Sequence, residues 1–178
     1  MSKAADATSV VAHYTEIEGP DDQTYPKSPE LLSVSASFSQ HFGLMRLGIH
    51  HERLKPGRRV SWPHAEADEE EFVYVIEGTP DVWLDGHLTR LKPGDGVGFP
   101  AGTGLSHTII NNTEEDVRIL VAGEASRYRS RIHYPMHPAR NAEIGERHWK
   151  DIPERPLGPP AETERRHSWK IQARRRAP

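Results

Sequence analysis

The stretch from Gly57 to Gly78, GRRVSWPHAEADEEEFVYVIEG, combines an imidazole, several carboxylates and a run of strand-forming residues. His64 and Glu66 stand two residues apart, and alternate side chains of a strand share one face, so both can point the same way. Glu71 then opens the run FVYVI, which is rich in β-branched and aromatic residues. Val73 lies on the same face as Glu71, so a strand that buries this valine also turns the carboxylate inward.

A second stretch, Gly94 to Asn112 (GDGVGFPAGTGLSHTIINN), adds a distant imidazole at the start of another apolar run. Together the two stretches supply ligand types that divalent metals use, at His64, Glu66, Glu71 and His107. Burying these groups unpaired inside a barrel costs free energy, and a cation removes that cost. We therefore expect one divalent metal ion, and Zn, Fe, Mn and Ni all suit this donor set. The alternative, a solvated acidic loop, fits residues 68–70 better than it fits Glu71.

The two stretches resemble the two motifs of the cupin superfamily over roughly residues 40–124. His64, Glu71 and Gly78 match the first motif, and Glu66 stands where the family has its second histidine. The second motif is matched by Gly94, Pro100, Gly102, His107 and Asn111, with a longer gap before the histidine than is usual. The resemblance implies an all-β fold, a double-stranded β-helix or jelly-roll cupin barrel, with His64, Glu66, Glu71 and His107 as metal ligands.

The spacing of turns independently favours an all-β sandwich or barrel, because short β-rich runs alternate with turn signals about every 8–12 residues. We expect strands at 43–54, 71–77, 81–84, 87–91, 97–99, 107–110 and 117–121, with a tight hairpin at Asp85-Gly86. A further short strand is expected in VVAHY, residues 10–14. The predicted organisation is an N-terminal arm (1–40), the cupin β-barrel (41–124) and a Pro/Arg-rich C-terminal extension (125–178).

Further candidate site residues lie just before and within the first motif. His50 and Glu52 share a strand face with Leu54, and the resemblance implies that this face turns toward the cavity. His50 or Glu66 is the candidate catalytic base, and Glu52 and Trp62 are candidate substrate contacts. The alternatives are that His50 and Glu52 pair with arginines at the rim and that Trp62 only covers a barrel edge.

Composition excludes several classes of protein. The 178 residues contain no cysteine, so any metal site must use nitrogen and oxygen ligands. The sequence has no apolar run of about 18 residues, which argues against a membrane span. It also lacks an apolar leader core at the N-terminus, so we expect a cytoplasmic protein.

The net charge of −3 conceals an acidic barrel region and a basic C-terminal extension. The extension contains no recognisable nucleic-acid reading motif, so we expect it to lie on the barrel or on a partner's barrel. We expect residues 127–150 to be ordered and 155–178 to be loose. The long arms and the outward side of FVYVI, formed by Phe72, Tyr74 and Ile76, indicate a homodimer.

These features favour a small metalloenzyme that acts on a small oxygenated metabolite, with isomerase, lyase or dioxygenase chemistry all open. The alternative is a non-catalytic, metal-dependent module that binds or senses a sugar or an organic acid. A role as a nucleic-acid accessory protein is the weakest of the three hypotheses.

Overall fold

Ten short strands, paired antiparallel, dominate the part of the chain that this computed structural model describes, residues 10–125 and 130–154. The strands are β1 (Val34–Ser37), β2 (Leu47–Leu54), β3 (Ala65–Glu66), β4 (Glu71–Glu77), β5 (Asp81–Leu84), β6 (His87–Arg90), β7 (Gly96–Phe99), β8 (His107–Ile110), β9 (Val117–Glu124) and β10 (Ile132–His133). Three short helices accompany them: α1 (Tyr14–Ile17), α2 (Phe38–Phe42) and α3 (Pro138–Glu143). None of the described helices is long and apolar enough to cross a membrane.

The strands form a two-layered jelly roll. One sheet has the order β1-β2-β9-β4-β7, a second has the order β6-β5-β8, and β10 pairs with β3. The chain before β3 runs back along β8, where Arg59 bridges to Ile110 and His64 bridges to His107. The expected all-β cupin-type jelly roll is therefore confirmed.

A single apolar cluster fills the space between the two sheets. Its buried members are Leu54, Val73, Val75, Val82, Leu91, Phe99, Ile109, Val117 and Ile119. Both sheets contribute to it, because inward and outward side chains alternate along each strand. Glu71 lies on the inward face of β4 beside Val73 and Val75, so the core strand carries a carboxylate into the interior.

Two turns depend on residues with positive φ. Asp85 and Gly86 both have positive φ, 45° and 96°, which forms the tight β5–β6 hairpin predicted from the sequence. Gly78 ends β4 with φ of 82°, and a Cβ atom there would lie 2.7 Å from Cγ2 of Val117. This position of the first motif therefore requires glycine for both conformation and space.

The N-terminal arm differs from the expectation. The predicted strand over residues 10–14 is wrong, because the chain turns into α1 at Tyr14. His13 caps this helix: its side chain accepts from the N–H of Thr15, and Glu16 accepts from the N–H of His13 at 3.2 Å. Local capping therefore outweighs the strand propensity of the two valines. The expected strand over 43–54 also starts later, at Leu47, because α2 ends at Gly43 in a left-handed conformation.

The C-terminal extension packs on the barrel where the structure describes it. β10 pairs with β3, and α3 is followed by a short 3₁₀ helix, Gly145–Arg147. Tyr134 and Trp149 are both buried. Within the predicted ordered range of 127–150, residues 130–150 pack as expected, whereas residues 127–129 lie outside the described residues. The expectation for 155–178 also lies outside them.

Candidate metal centre

Three ligand-type side chains meet between the two sheets. The nitrogen and oxygen atoms that His64, Glu71 and His107 can offer all lie within 4.8 Å of one another. The backbones of the two histidines pair directly: the N–H of His64 donates to the carbonyl of His107 at 3.1 Å, and the reverse bond is 2.8 Å. Glu71 is the first residue of β4, and its carboxylate lies beside the two imidazoles. The fold thus brings together residues that are 43 positions apart in the chain from His64 to His107.

Backbone carbonyls orient both imidazoles. Nδ1 of His64 lies 2.8 Å from the carbonyl oxygen of Trp62, and Nδ1 of His107 lies 3.2 Å from that of Leu105. Because a carbonyl only accepts, each Nδ1 carries a proton, and in the neutral form of each ring Nε2 keeps its lone pair. Nε2 of His107 is buried, lies 3.7 Å from Oε1 of Glu71 and has no hydrogen-bond partner among the described residues. A cation satisfies such a buried lone pair.

The electrostatic environment favours the charge states that bind a metal. Burial, and then the neighbouring His107, lower the pKa of His64 to about 4. Burial alone would raise the pKa of Glu71, but the imidazoles of His107, His64 and His50 together hold it below its ordinary value. Near neutral pH His64 is therefore a neutral imidazole and Glu71 is a carboxylate, the forms in which each group binds a cation.

Glu66 lies outside this group of three but lines the adjacent cavity. The cavity has a volume of about 350 Å³, and Glu66, Glu70, Glu71 and His50 form part of its wall. Burial, with help from Glu69 and Glu71, raises the pKa of Glu66 to about 8. A role for Glu66 as a fourth ligand or as a base stays a prediction.

His50 and Glu52 contact serines on β1 and just before it. Ser33 and Ser35 each donate a hydroxyl to the buried carboxylate of Glu52 at 2.7 Å. Oγ of Ser35 also lies 3.4 Å from Nδ1 of His50. Leu54 is fully buried, as the resemblance implied, and the face it shares with Glu52 and His50 does turn inward. The rim-arginine alternative is not what the structure shows for Glu52.

Trp62 occupies a different environment. Its ring is stacked between Tyr25 at 4.0 Å and His137 at 3.8 Å, and its Nε1 donates to Glu30 at 3.0 Å. Trp62 does not line the cavity beside Glu71. Its contacts join the N-terminal arm to the C-terminal extension, and its proposed contact with substrate stays a prediction.

Sequence reasoning missed residues that shape the centre through strand register. Phe99 stands opposite Glu71 on β7 and stacks on His107, with ring centroids 3.6 Å apart and planes 5° from parallel. Gly123 stands opposite Glu71 on β9, where a Cβ atom would lie 2.7 Å from the carbonyl oxygen of Glu70. No local pattern identifies either residue, because only strand pairing places them beside the ligands.

The three groups fit a divalent metal. Two imidazole nitrogens and one carboxylate suit Zn, Fe(II), Mn or Ni, and a set of three protein ligands leaves coordination positions open for a substrate oxygen. The buried Nε2 of His107 and the fixed ring orientations provide the preorganisation that such a site requires.

Comparison with protein families gives a match in the same region. A family model described as a cupin domain matches residues 50–123. The polyketide synthase CurC of Streptomyces cyaneus is 36% identical over 78 residues. That alignment covers 44% of this chain and 46% of the relative, so the chain spans less than half the length of the curated protein it matches.

Two solved structures share the fold. A candidate sugar phosphate isomerase from Acidithiobacillus ferrooxidans superposes with a TM-score of 0.65 and 28% identity, covering 73% of this chain and 83% of that one. A sugar phosphate isomerase of the cupin superfamily from Silicibacter pomeroyi has a TM-score of 0.55 and 30% identity, covering 58% and 66%.

Proposed function

This chain is a member of the cupin superfamily, and from that premise we propose that it is a metal-dependent enzyme acting on a small oxygenated metabolite. The group formed by the buried His64 and His107 and the partly buried Glu71 carries the proposal. Its histidines are oriented by backbone carbonyls, and the buried Nε2 of His107 has no hydrogen-bond partner among the described residues, which leaves it available to a cation. A cavity of about 350 Å³ beside Glu71 is large enough for a small molecule.

Among the open reaction classes, we favour isomerisation by proton transfer. Both structural relatives described above carry the name of sugar phosphate isomerases, which supports a hydroxy-carbonyl substrate. Such a reaction needs one group that takes a proton from carbon and returns it to the neighbouring carbon, with no external oxidant. Lyase and dioxygenase chemistry suit the same donor set, and experiment can separate them.

The residues around the cavity have separate proposed roles, which are to hold a metal ion and to transfer a proton. A divalent cation bound here supplies Lewis-acid polarisation of a carbonyl or enolate oxygen. His64, Glu71 and His107 would hold that cation. His50 and Glu66 line the cavity next to Glu71 and are the candidate groups that take and return the proton. Burial lowers the pKa of His50, which keeps its imidazole neutral and able to accept a proton near neutral pH.

The experiment combines metal analysis with an exchange assay. The purified protein is analysed for metal content and then incubated in D₂O with a panel of aldose and ketose sugars and their phosphates. Proton abstraction next to a carbonyl appears as deuterium incorporation by NMR, even where the equilibrium position hides net turnover. An oxygen electrode run with the same panel detects dioxygenase activity.

The outcomes separate the hypotheses. Bound metal with deuterium incorporation that is lost after chelation supports the proposal. Bound metal with ligand-dependent thermal stabilisation, but no exchange and no oxygen uptake, identifies a binding or sensing module instead. A protein that holds no metal and takes none up overturns both.

A further inference from the structure

We infer that Glu52, acting through Ser35, is a positioning residue that fixes the tautomer of His50 so that Nε2 faces the cavity as the proton acceptor. The inference rests on the proposed function, in which His50 is a candidate base. It assigns Glu52 a role through hydrogen bonding rather than contact with substrate.

The strand register builds this arrangement. β1 and β2 pair antiparallel with Ser35 opposite Glu52, and Ser37 opposite His50. Directly opposed residues on one face are close enough for their side chains to touch, and the next residue on that face is within reach diagonally. Ser35 therefore meets Glu52 across the strands and His50 along the diagonal. The observed distances, 2.7 Å and 3.4 Å, agree with this geometry.

The direction of the hydrogen bonds follows from the number of protons available. Burial raises the pKa of Glu52, and the hydroxyls of Ser33 and Ser35 oppose that shift. In its ionised form Glu52 can only accept, and both hydroxyls lie at 2.7 Å, the length typical of a hydroxyl bound to a carboxylate. Ser35 has only one hydroxyl proton, and it is committed to Glu52. Its oxygen can then only accept from His50, so Nδ1 of His50 must carry the proton.

This hydrogen-bonding pattern determines which ring nitrogen of His50 can accept a proton. With Nδ1 protonated, Nε2 keeps its lone pair and is the nitrogen available to the cavity that His50 lines. A neutral histidine in the opposite tautomer would present an N–H to the cavity and could not accept a proton there. A carboxylate with only 7% of its surface exposed thus acts on the base without touching the reacting atoms.

The test reads the tautomer directly. Long-range ¹H–¹⁵N spectra of the full-length protein, recorded with and without added zinc, distinguish protonated from unprotonated ring nitrogens, and a His50→Asn variant assigns the signal. We expect Nδ1 of His50 to be protonated and Nε2 unprotonated above neutral pH. Ser35→Ala should shift the tautomer ratio toward Nε2–H by roughly fivefold to tenfold, the effect of one net hydrogen bond. Glu52→Ala removes the acceptor of the Ser35 hydroxyl, frees that hydroxyl to donate to Nδ1 of His50, and should shift the ratio in the same direction.

The matched control is Ser33→Ala, which removes the other hydroxyl from Glu52 but leaves Ser35 in place. Its tautomer ratio should stay that of the wild type, even though it loses a hydrogen bond of the same length. An Nε2–H tautomer in the wild type overturns the inference without any variant. So does a Ser35→Ala protein with an unchanged ratio.

The tautomer measurement and the metal and exchange assays can succeed or fail separately. A protein that binds metal and exchanges protons but shows the wrong tautomer would lose only the role of Glu52. A protein with the expected tautomer but no metal and no exchange would keep the hydrogen-bonded chain and lose the enzymatic proposal.

Discussion

Glu71 shows how a single charged residue can belong in a core. The two inward neighbours on its strand, Val73 and Val75, are at most 1% exposed, so the strand cannot turn its face outward to hydrate the carboxylate. The surrounding imidazoles lower the pKa of Glu71 and keep it ionised. A cation between this partly buried carboxylate and the ring nitrogens of His64 and His107 would stabilise all three groups.

At this scale we predict that Glu71→Gln abolishes stoichiometric metal binding. The amide keeps the volume of the side chain but loses the charge that the cation needs. The loss of affinity should exceed the roughly 10–100-fold cost of removing an outer-shell partner. Glu70→Gln is the matched control, because Glu70 lines the same cavity but is not one of the three grouped ligands. Elemental analysis after dialysis compares them, and equal metal content in the two variants would exclude Glu71 as a ligand.

A second residue, His51, makes stability depend on pH. Its ring stacks on Tyr14 with centroids 4.0 Å apart and is almost fully buried. Burial, and then the charges of Arg118 and Arg53, lower its pKa from the ordinary value of 6.5, with Glu18 opposing them. The unfolded chain therefore binds a proton more readily than the folded chain as pH falls below 6.5, and stability falls with it.

We predict that His51→Phe flattens this dependence while keeping the aromatic stack. Between about pH 7.5 and pH 5 the variant should lose less thermal stability than the wild type, by at most about 1.4 kcal/mol per pH unit. His41→Phe, at an exposed position, is the control and should follow the wild-type profile. Parallel melting curves for His51→Phe and wild type would refute the assignment.

At the scale of elements, the position where β4 ends determines how the chain passes from one sheet to the other. β4 must stop at Gly78 so that the chain can cross from the larger sheet to β5 in the smaller one. The positive φ and the close approach of Val117 both restrict this position to glycine. Gly94 has a similar positive φ of 93°, but no atom lies within 4 Å of the place where its Cβ would be.

We predict that Gly78→Ala destabilises the protein more than Gly94→Ala. Both substitutions carry the roughly 1–3 kcal/mol cost of a non-glycine residue in this conformation. Only Gly78→Ala adds a clash with a buried valine, which costs about a further 1–3 kcal/mol. Denaturant unfolding of the two variants measures the difference. Equal losses in the free energy of unfolding would contradict the prediction, because they would mean that Val117 moves aside at no cost.

At the scale of the whole molecule, one sheet face remains partly apolar and open. Phe72, Tyr74 and Ile76 point outward from β4 and are 41–45% exposed. α1 covers part of the same sheet, where Tyr14 stacks on His51 and lies under Arg118. An apolar stripe beside a covered region is consistent with the predicted contact between two copies of the chain.

We predict that the protein is a homodimer in solution and that Tyr74→Glu converts it to a monomer at micromolar concentration. In a two-fold contact the new carboxylates would face each other and would have to be buried without partners. Met45→Glu is the control, because Met45 is 90% exposed but lies outside the stripe. Light scattering coupled to gel filtration measures both masses. A monomeric wild type, or a dimeric Tyr74→Glu variant, would contradict the prediction.

Local sequence features were sufficient to predict much of the fold. The predicted strands at 71–77, 81–84 and 107–110 are β4, β5 and β8 as observed. The hairpin at Asp85-Gly86 also forms as predicted. These features depend on alternation, β propensity and turn residues, which act between near neighbours in the chain. The same local information identified His64, Glu66, Glu71 and His107 as ligand types, and the strand face shared with Val73 predicted that Glu71 turns inward.

What the amino-acid sequence determined by itself was therefore the strand pattern and the kinds of donor available. Tertiary structure alone decided that Phe99 stacks on His107, that Ser35 joins Glu52 to His50, and that Glu66 lies outside the group of three. It also decided that a capped helical turn replaces the strand expected near Tyr14. Each of these depends on strand register or on the distance between the sheets, and such quantities are set by packing across the whole core rather than by neighbours in the chain.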